Sequence, residues 1–170
     1  MPKTATIFSL AIVFFALCFG QKNGVAQSLE EAKRLAYQKI YDGNLLMDKG
    51  RYADAIAAYH DAVKLVPNDP KPYYYISFLY AQLGRWDEAQ LAAEKALQIW
   101  PLYPEAHAQL GAIYLQKQAF QRAFSELTFA IAQKYEQPGA LNNLGGYYLI
   151  YKHRADSATH FFSEAVRLDS

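Results

Sequence analysis

Beyond residue 26 the chain alternates apolar stretches of helical period with short polar or glycine-bearing breaks. Apolar residues return at three- and four-residue spacing, the mark of a helix that buries one face. The pattern predicts eight helices, near 29–49, 53–66, 70–83, 87–99, 104–117, 120–134, 138–151 and 155–168. Ser28-Leu29-Glu30-Glu31 reads as a capping box, so the first helix starts early and is longer than its counterparts. Pro72, Pro104 and Pro138 fall in first turns, where proline is tolerated. Gly50 and Gly84 stand where a left-handed residue would end a helix, and Asn68-Asp69-Pro70 reads as a linker.

These helices form a repeating pair. Small residues recur at Gly43, Ser77, Gly111 and Gly145, each 34 residues after the last. Alanines recur at Ala55, Ala89, Ala123 and Ala158, and again at Ala62, Ala96, Ala130 and Ala165, with spacings of 34, 34 and 35. Pro67 and Pro101 close the first two units. A mid-helix glycine costs about 1 kcal/mol against alanine. That cost, recurring in phase, points to close approach by a partner helix. The fourth unit carries one extra residue between Gly145 and Ala158, so its turn, Lys152–Asp156, is expected to differ from the others.

Period and pattern resemble the tetratricopeptide repeat family. The third unit has His107, Leu110-Gly111, Tyr114, Ala123 and Leu127; the fourth has Leu141, Leu144-Gly145, Tyr148, Ala158 and Phe162. The second has Tyr73, Ile76-Ser77, Tyr80, Ala89, Ala93 and Pro101, and the first, looser, has Lys39, Asp42-Gly43, Leu46, Ala55, Tyr59 and Pro67. The resemblance implies an all-α fold, a right-handed superhelical solenoid of antiparallel helix pairs. Its repeats would span 36–69, 70–103, 104–137 and 138–170, with 27–35 extending the first helix.

Residues 1–26 differ in kind. Lys3 precedes an uncharged apolar run of 13 residues, Ile7–Phe19, too short for a helix that must cross a bilayer with about 20 residues. It suits the core of a secretory signal peptide. Gly24 and Ala26 offer a cleavage site, and Gly20 an earlier one. Cleavage after Ala26 removes the only cysteine, Cys18, and leaves a chain held by packing alone. Leu17 before Cys18 speaks against a lipid anchor, which wants a small residue there. A periplasmic or secreted protein is expected; an uncleaved segment would instead tether it to the membrane.

Composition narrows the function. Seventeen Lys and Arg against 16 Asp and Glu give a net charge of +1, which argues against a partner bound through its phosphates, so no nucleic acid is expected. The four histidines, His60, His107, His153 and His160, neither cluster nor sit beside paired carboxylates. No HExxH, nucleophile elbow or phosphate-cradling loop is present, so no enzyme, metal or cofactor is expected. His107 takes the aromatic position of its unit and reads as a packing residue.

In such a superhelix the first helix of each pair lines the inner surface. The resemblance places Tyr37, Tyr41 and Asn44 there in the first unit, and Tyr74, Tyr75 and Phe78 in the second. Gln109 follows in the third, and Asn142 and Asn143 in the fourth. Family members that grip a C-terminal carboxylate use a Lys/Asn/Arg clamp; only Asn44 fits it here, with Ile40, Tyr75, Glu105 and Gln109 at other clamp positions. The expected partner is a protein or peptide whose extended backbone meets the amides while its apolar side chains stack on the aromatics. Two rivals remain: a carbohydrate on the same tyrosines, and a homodimer or end-to-end protomer joined through Ile150 and Phe161, both more apolar than their counterparts.

Overall fold

The computed structural model describes residues 27–133 and 137–169. The signal peptide expected over 1–26 lies outside them. The described residues form eight helices and no strand: α1 (27–48), α2 (Tyr52–Leu65), α3 (Pro70–Gln82), α4 (Trp86–Ile99), α5 (Pro104–Gln116), α6 (Phe120–Ala132), α7 (Pro138–Ile150) and α8 (Ala155–Leu168). Every boundary lies within two residues of the expected one. The capping-box reading is corrected: Gln27 is already helical, so Ser28 sits inside the first turn, not at a cap with extended backbone.

The helix starts follow from local chemistry. Asp69 caps α3 by accepting the Lys71 backbone N–H at 3.0 Å. Pro70, Pro104 and Pro138 open α3, α5 and α7, where no intrahelical donor is lost. The turns inside the pairs share one geometry. Gly50, Gly84 and Gln118 have φ of 69°, 70° and 57°, and each N–H bonds back to Met47, Ala81 and Leu115 carbonyls. The next N–H, of Arg51, Arg85 and Ala119, reaches five residues back to Leu46, Tyr80 and Tyr114. This is the Schellman ending. In the fourth pair His153 takes the left-handed position with φ 52°, and Arg154 N–H reaches six residues back, to Tyr148. The extra residue is absorbed there, where its effect on the turn was expected.

Pairs α3–α4, α5–α6 and α7–α8 pack tightly, and each second helix also packs on the next first helix. The in-phase small residues explain the fit. A Cβ at Gly43 would come within 2.5 Å of the Tyr59 ring, at Gly111 within 2.6 Å of Leu127, and at Gly145 within 2.6 Å of Phe162. In the second pair Ser77 replaces the glycine, and the residue at the facing repeat position is only Ala93. Ser77 is fully buried and donates to the Ala89 carbonyl at 2.7 Å, which satisfies its hydroxyl and fastens α3 to α4. The alanine series, Ala55, Ala62, Ala89, Ala96, Ala123, Ala130, Ala158 and Ala165, is buried throughout.

Candidate functional site: the face shared by the first helices

Helices α3, α5 and α7 touch in sequence, so their outward faces form one continuous surface. At its N-terminal end α1 presents Tyr37 and Tyr41, 60% and 58% exposed. Tyr37 borders a cleft of about 230 Å³ with Lys33, Ala36 and Lys71. Asn44 is half-buried, and its side-chain carbonyl already accepts the Tyr59 hydroxyl at 2.7 Å.

The second-unit aromatics do more than line the face. Tyr75 stacks on Tyr59 with ring centres 5.1 Å apart, Tyr74 lies 5.3 Å from Tyr75 and 5.8 Å from Tyr103, and Tyr103 stacks on Trp100 at 4.9 Å. This chain of rings rivets the first two units together. Pairs of this kind contribute about 0.5–1.5 kcal/mol each beyond area burial. Phe78 is half-buried against the core that holds Tyr59, Ile76 and Leu79. Tyr74, Tyr75 and Phe78 therefore carry much of the inter-repeat packing. Burial pushes the phenols of Tyr59 and Tyr103 well above their ordinary value near 10. Tyr75 and Asp48 add to the effect at Tyr59, and Glu105 at Tyr103.

Open space lies toward the C-terminal half. A cleft of about 360 Å³ between α3 and α5 is lined by Gln82, Trp86, Gln109, Ala112 and Gln116, among others. A larger one of about 610 Å³, between α5 and α7, is lined by Gln116, Gln118, Asn142, Asn143, Tyr147 and Ile150 with Leu115, Phe120 and Gly146. Gln116 borders both. No charged side chain lines either cleft. The side-chain amides of Gln82, Gln109, Gln116, Asn142 and Asn143 make no hydrogen bond to any described residue. Gly145 and Gly146 divide two tasks: the first admits Phe162 of α8, whereas a Cβ at Gly146 would meet nothing within 4 Å, which keeps the floor of the larger cleft open.

Thus Gln109, Asn142 and Asn143 line the clefts, and Tyr37 and Tyr41 stand free at the other end. Ile150, 67% exposed, is also part of the larger cleft. Phe161 stacks on Tyr148 with ring centres 5.4 Å apart and is half-buried. The repeat phase also puts Gln116 and Gly146 at groove positions, whereas Gln118, in the turn after α5, was missed. Its signal was available: it follows the last groove position of α5 in the turn that ends that helix.

His107 is held firmly. It lies 4.2 Å from the Phe129 ring, its Nδ1 is 2.6 Å from a Glu126 carboxylate oxygen, and its Nε2 is 2.9 Å from the Pro101 carbonyl. It ties α5 to α6 and to the preceding loop. Among the described residues no group of three or more His, Cys, Asp or Glu is placed to hold a metal ion. No described helix is long and apolar enough to cross a membrane.

Comparison with known proteins agrees with this geometry. The Hsp70-Hsp90 organizing protein of Triticum aestivum is 26% identical over 80% of this chain, which spans about a quarter (26%) of that relative's length. A structure of Pseudomonas aeruginosa pilF superposes with a TM-score of 0.73 at 17% identity, over 81% of this chain and 63% of that one. The first TPR of Spaghetti, solved bound to the HSP90 peptide SRMEEVD, gives 0.65 at 20% identity, over 69% of this chain and 93% of that one. At these identities the solved structures speak for the fold alone. A family model described as TPR repeat matches residues 43–84, and one described as tetratricopeptide repeat matches 78–133. With these matches spanning residues 43–133, and with glycine-to-side-chain contacts recurring in the phase the repeat demands, the chain belongs to the tetratricopeptide repeat family.

Proposed function

We propose that this protein is an exported, non-catalytic adaptor that captures a protein partner by holding an extended peptide segment along the face of α1, α3, α5 and α7. The observation that carries the reading is the row of unengaged amides beside apolar clefts. In the interior, by contrast, no buried side-chain nitrogen or oxygen among the described residues lacks a partner. A groove that leaves five amides open offers both donors and acceptors to a backbone that has lost its own. Relatives named as Hsp70-Hsp90 organizing proteins, and a fold neighbour solved with a peptide bound, support a peptide as the ligand class.

The test compares capture from an envelope extract by the wild type, by Tyr37→Ala/Tyr41→Ala and by Asn142→Ala/Asn143→Ala. The expected result is a discrete captured protein, recovered about tenfold less well by both variants, with melting temperatures unchanged because the truncated side chains are not core residues. Equal recovery by all three would contradict the groove.

Export is supported by the apolar run Ile7–Phe19 and the small residues Gly24 and Ala26. N-terminal sequencing of the protein from the extracytoplasmic fraction should begin at Gln27 or Gln21; a chain that starts at Met1 would contradict cleavage. Self-association ranks behind the groove because Ile150 already lines the cleft and Phe161 is stacked within its own repeat. Sedimentation should accordingly show a monomer.

A further inference from the structure

We infer that the segment this groove takes is uncharged and internal to its own chain, and that it seats one large apolar side chain over Gly146. The inference rests on the groove reading above and narrows it to a ligand chemistry. Both clefts are lined only by amide, apolar and aromatic side chains and by glycine. The nearby charges are turned to other work: Lys117 pairs with Asp87 at 2.7 Å, Arg122 lies over the Tyr114 ring, Lys152 over the Tyr151 ring, and Glu126 holds His107. Lys71 borders the separate cleft beside Tyr37, at the α1 end of the face, and Glu105, a groove position on α5, lines neither of these two clefts. A carboxylate or ammonium seated here would give up hydration and find no counter-charge, which is costly. A neutral peptide backbone loses less, because each amide it meets can both donate and accept.

The shape fixes the rest. Neighbouring first helices lie about 8–10 Å apart, so a path across α3, α5 and α7 is about 16–20 Å. An extended chain covers that with about five or six residues. The 610 Å³ cleft falls within the usual range for a site that encloses a ligand group. Its floor is the bare backbone at Gly146, and its apolar walls are Leu115, Phe120, Tyr147 and Ile150. The amides that would align the backbone, Gln109, Gln116, Asn142 and Asn143, lie along the same two helices.

The test selects ten-residue peptides from two phage libraries, one displaying them between flexible linkers and one ending in a free carboxylate, against the purified protein. Selected sequences are then measured by calorimetry as synthetic peptides in carboxylate and amidated forms, at about 0.05 and 0.5 M salt. The inference predicts enrichment of uncharged sequences with a Leu, Phe or Trp. It also predicts less than about a twofold change in Kd with the end group or the salt, and about a tenfold loss in Gly146→Leu. The melting temperature of Gly146→Leu controls for folding and should be no lower than that of wild type, because the added Cβ enters open space. Acidic peptides that need their free carboxylate, yet lose binding in Gly146→Leu, would overturn this inference and leave the groove standing. Selected peptides indifferent to Gly146→Leu and to Asn142→Ala/Asn143→Ala, or no enrichment from either library, would overturn both.

Discussion

Gly111 and Gly146 are both helical glycines, yet a methyl group added to each meets opposite surroundings. At Gly111 it would strike Leu127 and approach the Ala123 carbonyl at 3.3 Å, whereas at Gly146 it meets nothing. Gly146→Ala should therefore stabilise by about 1 kcal/mol, the helix-propensity gain. Gly111→Ala should lose about 1–2 kcal/mol, because overpacking a closed contact outweighs that gain. Urea unfolding of the two variants reads the difference directly. The buried tyrosines make a second prediction at this scale. Tyr59 and Tyr103 have folded-state pKa values above that of the unfolded chain, so the folded form keeps protons that the unfolded form releases above pH 10. Their contribution is fully present below pH 10. It falls by up to about 1.4 kcal/mol per pH unit for each tyrosine above it. Absorbance titration near 295 nm should show two phenols ionising only as helicity collapses; phenols that all ionise while the helices persist would contradict their burial.

At the scale of the element, the turns decide register. Gln118 stands where Gly50 and Gly84 stand in the preceding pairs, at φ 57°. A non-glycine residue pays about 1–2 kcal/mol there, against which glycine's extra chain entropy costs about 0.5–1 kcal/mol. Gln118→Gly should thus raise stability by about 0.5–1 kcal/mol in denaturant unfolding; a lower midpoint would show that the backbone is relaxed. Helix placement was legible because proline starts, glycine ends and the 34-residue phase all agree. The start of α1 was misjudged because a capping-box pattern says nothing about whether the chain before it is already helical. The left-handed residues at Gln118 and His153 were hidden because neither is glycine, although their positions in the repeat mark them once the phase is known.

At the scale of the molecule, no pair buries its faces without its neighbours. Rings from Tyr59 to Trp100 join units one and two, and Phe124, Tyr147, Tyr148 and Phe161 join three and four. The fold and the face that could bind were legible from repeat phase alone. Less legible was which aromatics on that face are committed to packing: Tyr75 and Phe78 share a face with Tyr41, but only their neighbours across the stack settle their burial. Gln109, Asn142 and Asn143 line the clefts, whereas Asn44 is already engaged by Tyr59, a contact across the helix pair that sequence spacing did not reveal. The most direct measurement is NMR of the side-chain amide groups during titration with a selected peptide. The account predicts shifts at Gln109, Gln116, Asn142 and Asn143 and none at Gln38, Gln90 or Gln121, which are bonded to Asp42, Glu94 and Tyr151. Shifts confined to that second set, with the groove amides unmoved, would contradict it.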